Sequence, residues 1–248
     1  GSDYTAIPAG TKISVAAGAS TGTYTLPVLD DLLVESTETV TATISNSSNA
    51  AVSITTPNAT ANIIDNETAT AALSVTTQGN EAGPVNIVYT VTLSQVNNTG
   101  SAITFDIGTS GGTATSGSDY TAIPAGTKIS VAAGASTGTY TLPVLDDLLV
   151  ESTETVTATI SNSSNAAVSI TTASATANII DNETATASLS VTTQGNEAGP
   201  VDIVYTVTLS AVNNTGSAVT FDISTIGGTA TSGSDYTAIP AGTKISVA

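Results

Sequence analysis

Gly-Ser-Asp-Tyr-Thr-Ala-Ile-Pro-Ala-Gly-Thr-Lys occupies residues 117–128, and the same twelve residues stand at 1–12 and at 233–244. Self-similarity at a fixed spacing is read before propensity, because near-identical segments share one local fold. The spacing is 116 residues; residues 1–132 laid over 117–248 differ at eight positions, among them Pro57/Ala173, Asn86/Asp202 and Ser110/Ile226. The 248-residue chain is therefore a tandem array. Thr68 onward, Thr-Ala-Thr-Ala-Ala-Leu-Ser-Val follows an Asp-Asn-Glu punctuation and reads as a beginning. The expected division is the back part of one module at 1–66, a complete module at 67–182 and the front part of the next at 183–248. Each flanking part should expose a core face unless a neighbouring copy or chain completes it. The absence of Met suggests an internal slice of something longer.

Within 67–182 the pattern has period two, rich in Thr, Val, Ile and Tyr, with turns of Gly, Asn, Ser and Ala, and no helical stretch competes. It predicts strands at 71–76, 86–94, 102–107, 127–131, 139–145 and 154–161, and a last one at 167–180 broken near Thr172. Ile87, Tyr89, Val91 and Leu93 should face inward, as should Ile103, Phe105 and Ile107, then Tyr140, Leu142 and Val144, then Val156, Ala158 and Ile160. One inward face and one Thr-rich outward face predict an all-β fold: tandem Ig-like antiparallel β-sandwiches of about seven strands.

Composition removes most chemistry. Cys, His, Met and Trp are absent, which excludes thiol nucleophiles, disulfides, imidazole or thiolate zinc sites and His-based triads. Twenty acids stand against Lys12, Lys128 and Lys244, for a formal charge of −17. Such a chain repels nucleic-acid phosphates and anionic lipid, so cations are its natural partners. No apolar run approaches the roughly 18 residues of a membrane span, so direct membrane insertion is not expected. Paired carboxylates can serve glycosidase chemistry, but these have no aromatic or basic substrate groups beside them, and an enzyme is not expected.

An antiparallel walk reverses direction at every connection, which assigns each loop to one end of the sandwich. One end collects 96–100, 133–138 and 162–166, which hold no carboxylate. The other collects Glu81, Asp119, Asp146, Asp147, Glu151, Glu154, Asp181 and Glu183. Their counterparts in the flanking copies are Asp3, Asp30, Asp31, Glu35, Glu38, Asp65, Glu67, Glu197 and Asp235. Only Asp106, Asp202 and Asp222 fall outside these segments. Two unit charges about 5 Å apart repel by roughly 3 kcal/mol at an effective dielectric near 20. Lys128 alone cannot neutralise eight carboxylates. All-oxygen ligation points to a hard divalent cation, above all Ca²⁺, with several ions per junction; magnesium prefers to keep its waters. The bland reading is a set of solvated loop charges; a middle reading has some acids capping turns through their own backbone amides, as Asp119 and Asp181 could, which would spare only one or two.

The repeat resembles the Calx-β domain. The resemblance covers the whole repeat and rests on Glu81 ahead of an alternating strand, Gly-Thr-Ala-Thr-Ser-Gly-Ser-Asp-Tyr at 112–120, Pro-Val-Leu-Asp-Asp-Leu-Leu-Val-Glu-Ser-Thr-Glu-Thr-Val at 143–156, and the closing Ala-Asn-Ile-Ile-Asp-Asn-Glu at 177–183. It implies that Glu81, Asp119, Asp146, Asp147, Glu151, Glu154 and Asp181 are calcium ligands at the end facing the next module. Members often close with consecutive Asp residues, whereas this chain has Asp181-Asn182-Glu183. Near-identical tandem copies resemble the stalk of a large bacterial surface adhesin. That implies an extracellular, secreted or cell-surface fibre whose partners are adjacent copies of the module and neighbouring chains of a filament. Each module should advance the rod by roughly 40 Å. The alternatives are a glycan- or protein-binding adhesive module, against which the scarcity of exposed aromatics argues, and a calcium-sensing regulatory domain.

Overall fold

A computed structural model of the chain describes residues 3–199 and 201–248; Gly1 and Ser2, which open the first copy of the repeated stretch, and Pro200 lie outside the described residues. The described residues contain strands, turns and no helix. Fifteen strands run β1 (Glu38–Thr43), β2 (Asn58–Ile63), β3 (Ala69–Thr77), β4 (Gly79–Asn80), β5 (Ile87–Leu93), β6 (Ile103–Gly112), β7 (Lys128–Val131), β8 (Thr137–Leu142), β9 (Glu154–Ser161), β10 (Val168–Thr172), β11 (Ser174–Ile180), β12 (Ala187–Thr193), β13 (Val204–Leu209), β14 (Val219–Asp222) and β15 (Lys244–Val247).

Strands β3 to β11 form a two-sheet sandwich, one sheet in the order β10-β3-β5-β8 and the other β4-β11-β9-β6-β7. The core lies between them. Ile87, Tyr89, Phe105, Ile129, Leu142, Val156 and Ala177 are fully buried, and Tyr140 is half-buried against them. The Tyr89 hydroxyl donates to the Val156 carbonyl across the sheets at 2.7 Å, so a buried phenol is satisfied. Outward faces carry hydroxyl pairs such as Thr157–Thr176 at 2.8 Å and Thr76–Thr90 at 2.9 Å.

Two departures from the expected antiparallel pattern share one cause. The first strand switches sheets after a register shift between Val75 and Thr77, so β3 pairs in one sheet and β4 in the other. The last segment does the same, β10 ending at Thr172 and β11 starting at Ser174. Chain start and chain end therefore run alongside each other, and β10–β3 and β11–β4 are parallel pairs. The break expected near Thr172 is the gap between β10 and β11, while Gly79–Asn80 adds a short strand that the alternation does not predict. Glycine is required at 79 because a Cβ there would meet Val144 Cγ2 at 2.9 Å and Ile87 Cγ1 at 3.0 Å.

Among the described residues, the strands of the flanking segments form two-stranded pairs, β1-β2, β12-β13 and β14-β15. Their inward residues are uncovered: Ile13 is 46% exposed where Ile129, its counterpart, is 0%, and Leu189 is 58% exposed where Leu73 is 3%.

Candidate metal centre

Eight of the ten acidic residues of 67–183 arrive at one pole from five places in the chain. Glu81 follows β4, where its N–H donates to the Ile180 carbonyl at 3.1 Å. Asp119 sits in the turn after β6, Asp146, Asp147 and Glu151 in the segment between β8 and β9, Glu154 at the first residue of β9, and Asp181 and Glu183 just past β11. Close passage of β6 over β9 sets the second of these: Gly112, with φ 124, has no room for a Cβ against the Thr155 carbonyl.

Glu81 is the centre of the group. It is 2% exposed, and one oxygen lies within 4.8 Å of oxygens from Asp146 and Glu183 in one triad, and from Asp119 and Glu151 in a second. Burial first, then the charges of Asp181, Asp147, Glu151 and Glu183, push its carboxyl up to about 7. Glu154 is likewise pushed up to about 7, by burial and then by a hydrogen bond with Asp119. Glu151 and Glu183 are raised as well, each chiefly by burial. Every one of the eight carboxylates is thus in electrostatic reach of another.

Part of the set is tied by the backbone. Asp119 accepts from the Thr115 N–H, and Asp147 accepts from the Leu149 N–H at 2.7 Å. Asp181 is not a turn cap: its Oδ1 is buried without a partner, as are Glu81 Oε2 and Glu183 Oε2. Buried, unpaired anionic oxygen is costly, and Lys128, the only basic residue of 67–183, is engaged with Asp106. An oxygen-rich group with this deficit of positive charge fits a hard divalent cation of loose coordination geometry.

The preceding copy repeats the arrangement in part. Asp3, Asp31 and Glu35 form a triad within 4.8 Å, the Asp3 carboxyl pushes that of Glu38 up, and burial and then Asp65 push that of Glu67 up. Asp30 lines the same cleft. Glu197 and Asp235 are not gathered: both are exposed, and neither joins a carboxylate group among the described residues. Their segment supplies only β12 to β15, whereas the Asp146, Glu151 and Asp181 positions come from the β8–β9 connection and the end of β11. Asp106 and Asp222 pair with Lys128 and Lys244 instead.

Sequence reasoning missed Val34, Val150 and Asn97. Val34 is 1% exposed and belongs to the core cluster of the following sandwich. Asn97, 1% exposed, lies in the acid-free loop and donates to the carbonyls of Ser101 at 2.8 Å and Val131 at 3.0 Å. The signal was an apolar Leu-Leu-Val run inside an acidic loop, whose partner is 63 residues further on.

A two-sheet sandwich whose first and last strands run parallel, closed by a pole of carboxylates, defines the class of protein. The Calx-beta domain family model matches residues 1–67, 74–183 and 189–243, and the chain belongs to that family. Among solved structures, the apo-form Calx CBD1 domain is similar at 18% identity and a TM-score of 0.40, over 47% of this chain and 100% of that one. CBD12 from CALX1.2 is similar at 19% identity and a TM-score of 0.36, over 45% of this chain and 44% of that one. The calcium binding domain CBD12 of CALX1.1 is similar at 18% identity and a TM-score of 0.37, over the same 45% and 44%. No curated protein matches. No helix among the described residues is long and apolar enough to cross a membrane.

Proposed function

We propose that the chain is a structural repeat segment of a long extracellular adhesin or surface fibre, a stalk or spacer whose junctions are stiffened by Ca²⁺. The modules are 67–182, with 1–66 and 183–248 as parts of its neighbours, and the partners are adjacent copies of the module and neighbouring chains of a filament. The observation that carries this reading is Glu81: a carboxylate 2% exposed, with an unpaired oxygen, shared by two acidic triads. A buried, unpaired carboxylate opposes folding unless a proton or a cation neutralises it, and a cation is what the surrounding acids would also hold. Glu81, Asp119, Asp146, Asp147, Glu151, Glu154, Asp181 and Glu183 would hold the ions, with Asp3, Asp31 and Glu35 doing so in the preceding copy. The ions supply positive charge and oxygen cross-linking; the chain supplies a rigid sandwich that fixes the donors. A repeat that differs from the next at eight positions in 132 suits a rod of uniform pitch.

Small-angle scattering of the chain in calcium and in chelator tests this. Calcium should give the longer, stiffer particle; an unchanged length profile, or no calcium uptake by calorimetry, would remove the reading.

A further inference from the structure

The loop that carries the acids also grips the next module. Val34 forms a parallel bridge with Asn97, and the Asn98 N–H donates to the Val34 carbonyl at 3.1 Å. Two residues on, the Ser36 hydroxyl donates to the Thr99 carbonyl at 2.9 Å. The same contacts recur at the second junction, each partner displaced by 116 residues. Val150 bridges Asn213, the Asn214 N–H donates to the Val150 carbonyl at 2.9 Å, and the Ser152 hydroxyl donates to the Thr215 carbonyl at 3.1 Å. Between the two gripping residues stands an acid. Glu35 belongs to the Asp3–Asp31 triad, and Glu151 to the Glu81–Asp119 triad. Extended backbone sends alternate side chains to opposite sides, so Val150 and Ser152 face the following module while Glu151 faces its own acidic pole. Glu151 also accepts the side-chain amide of Asn214, so one carboxylate touches both modules.

We infer that Val-Glu-Ser, at 34–36 and 150–152, is a two-faced coupling strand: its even face locks the Asn-Asn-Thr-Gly loop of the next copy, and its odd face is fixed by the cation. The partner it selects is a second copy of this module, because the matching loop, 97–100 and 213–216, holds no acid and offers the Asn98 and Asn214 N–H groups and the Thr99 and Thr215 carbonyls at equivalent places. This inference rests on the calcium reading of the pole and adds how that pole controls the angle between modules. Where the following sandwich is complete, at Val34, the valine is 1% exposed; Val150, ahead of the partial copy, is half-buried.

The chain has no cysteine, so spin labels at Ala125→Cys and Ala241→Cys, equivalent exposed positions, report one junction by pulsed dipolar spectroscopy. A second pair at Ala9→Cys and Ala125→Cys reports the other. In calcium both distance distributions should be narrow. Val150→Ser should broaden the 125–241 distribution at least about twofold, as for a freed linker, leave the 9–125 distribution unchanged, and leave calcium uptake by calorimetry intact. Val150→Ile should restore the narrow form. Calcium uptake with a Val150→Ser distribution as narrow as the parent's would overturn the coupling strand alone. No uptake by the parent chain would overturn the calcium reading, and metal control of the angle with it.

Discussion

Glu81→Gln should change sign with the buffer. In chelator the parent carboxyl titrates near 7 against an ordinary 4.5. A rise of that size corresponds, at 1.36 kcal/mol per pH unit, to about 3 kcal/mol by which the charged form opposes folding at pH 8. The side chain is 2% exposed, so little of this is screened by solvent. Glutamine keeps the volume, removes the charge and brings an amide that the surrounding carboxylates can accept. The chelated variant should therefore melt higher than the parent, by several degrees for a domain of this size. In calcium the same substitution deletes an anionic donor common to both triads. Calcium affinity should fall at least about tenfold, and the stabilisation that saturating calcium adds should shrink. Differential scanning calorimetry in the two buffers, with isothermal titration, reads both. A variant that melts lower than the parent in chelator, or shifts equally in both buffers, would refute the cation-deficient pole and make Glu81 a packing residue.

The paired change Asp146→Asn with Asp147→Asn should lower the melting temperature in calcium but not in chelator, since asparagine Oδ1 can still accept from Leu149 N–H and the loss of two charges relieves Glu81 and Glu183; equal losses in both would mark a turn role. The chelated chain should gain stability as pH falls. Glu81 and Glu154 have folded-state pKa values raised to about 7, so their protonation favours the fold fully below about 4.5 and that contribution is lost as pH climbs through 7. Melting in chelator across that window checks it, and a flat profile there would contradict the buried pole. Gly112→Ala should destabilise the sandwich in calcium and chelator alike, because its Cβ collides with the Thr155 carbonyl at φ 124 and the β6–β9 ladder must shift; chemical denaturation in both buffers measures it. An unchanged midpoint would contradict that packing.

Much of the fold was legible because its signal is local. Alternation put Ile87, Tyr89, Val91 and Leu93 on one face of a single strand, and all four are buried. The parallel pairs were illegible for the opposite reason: nothing in the residues at 69–80 or 168–180 records that both chain ends change sheets together. At the acidic pole the residue types and their loops were readable by counting reversals, and the walk gathered Glu81 with Asp119, Asp146 and Glu183. It could not tell which oxygens are tied by backbone amides, as at Asp119, and which are orphaned, as at Asp181. Nor could it see Val34, because its partner loop enters only through the stacking of successive modules.

The amino-acid order alone determined the repeat, the strand periodicity, the lack of thiol and imidazole chemistry, and the excess of negative charge, since each follows from residue types and spacing along the chain. Burial was left to the tertiary structure. Ile13 and Ile129 occupy the same place in an identical local sequence, yet one is 46% exposed and the other 0%. A strand fixes which way a side chain points; only a facing sheet removes the water from it.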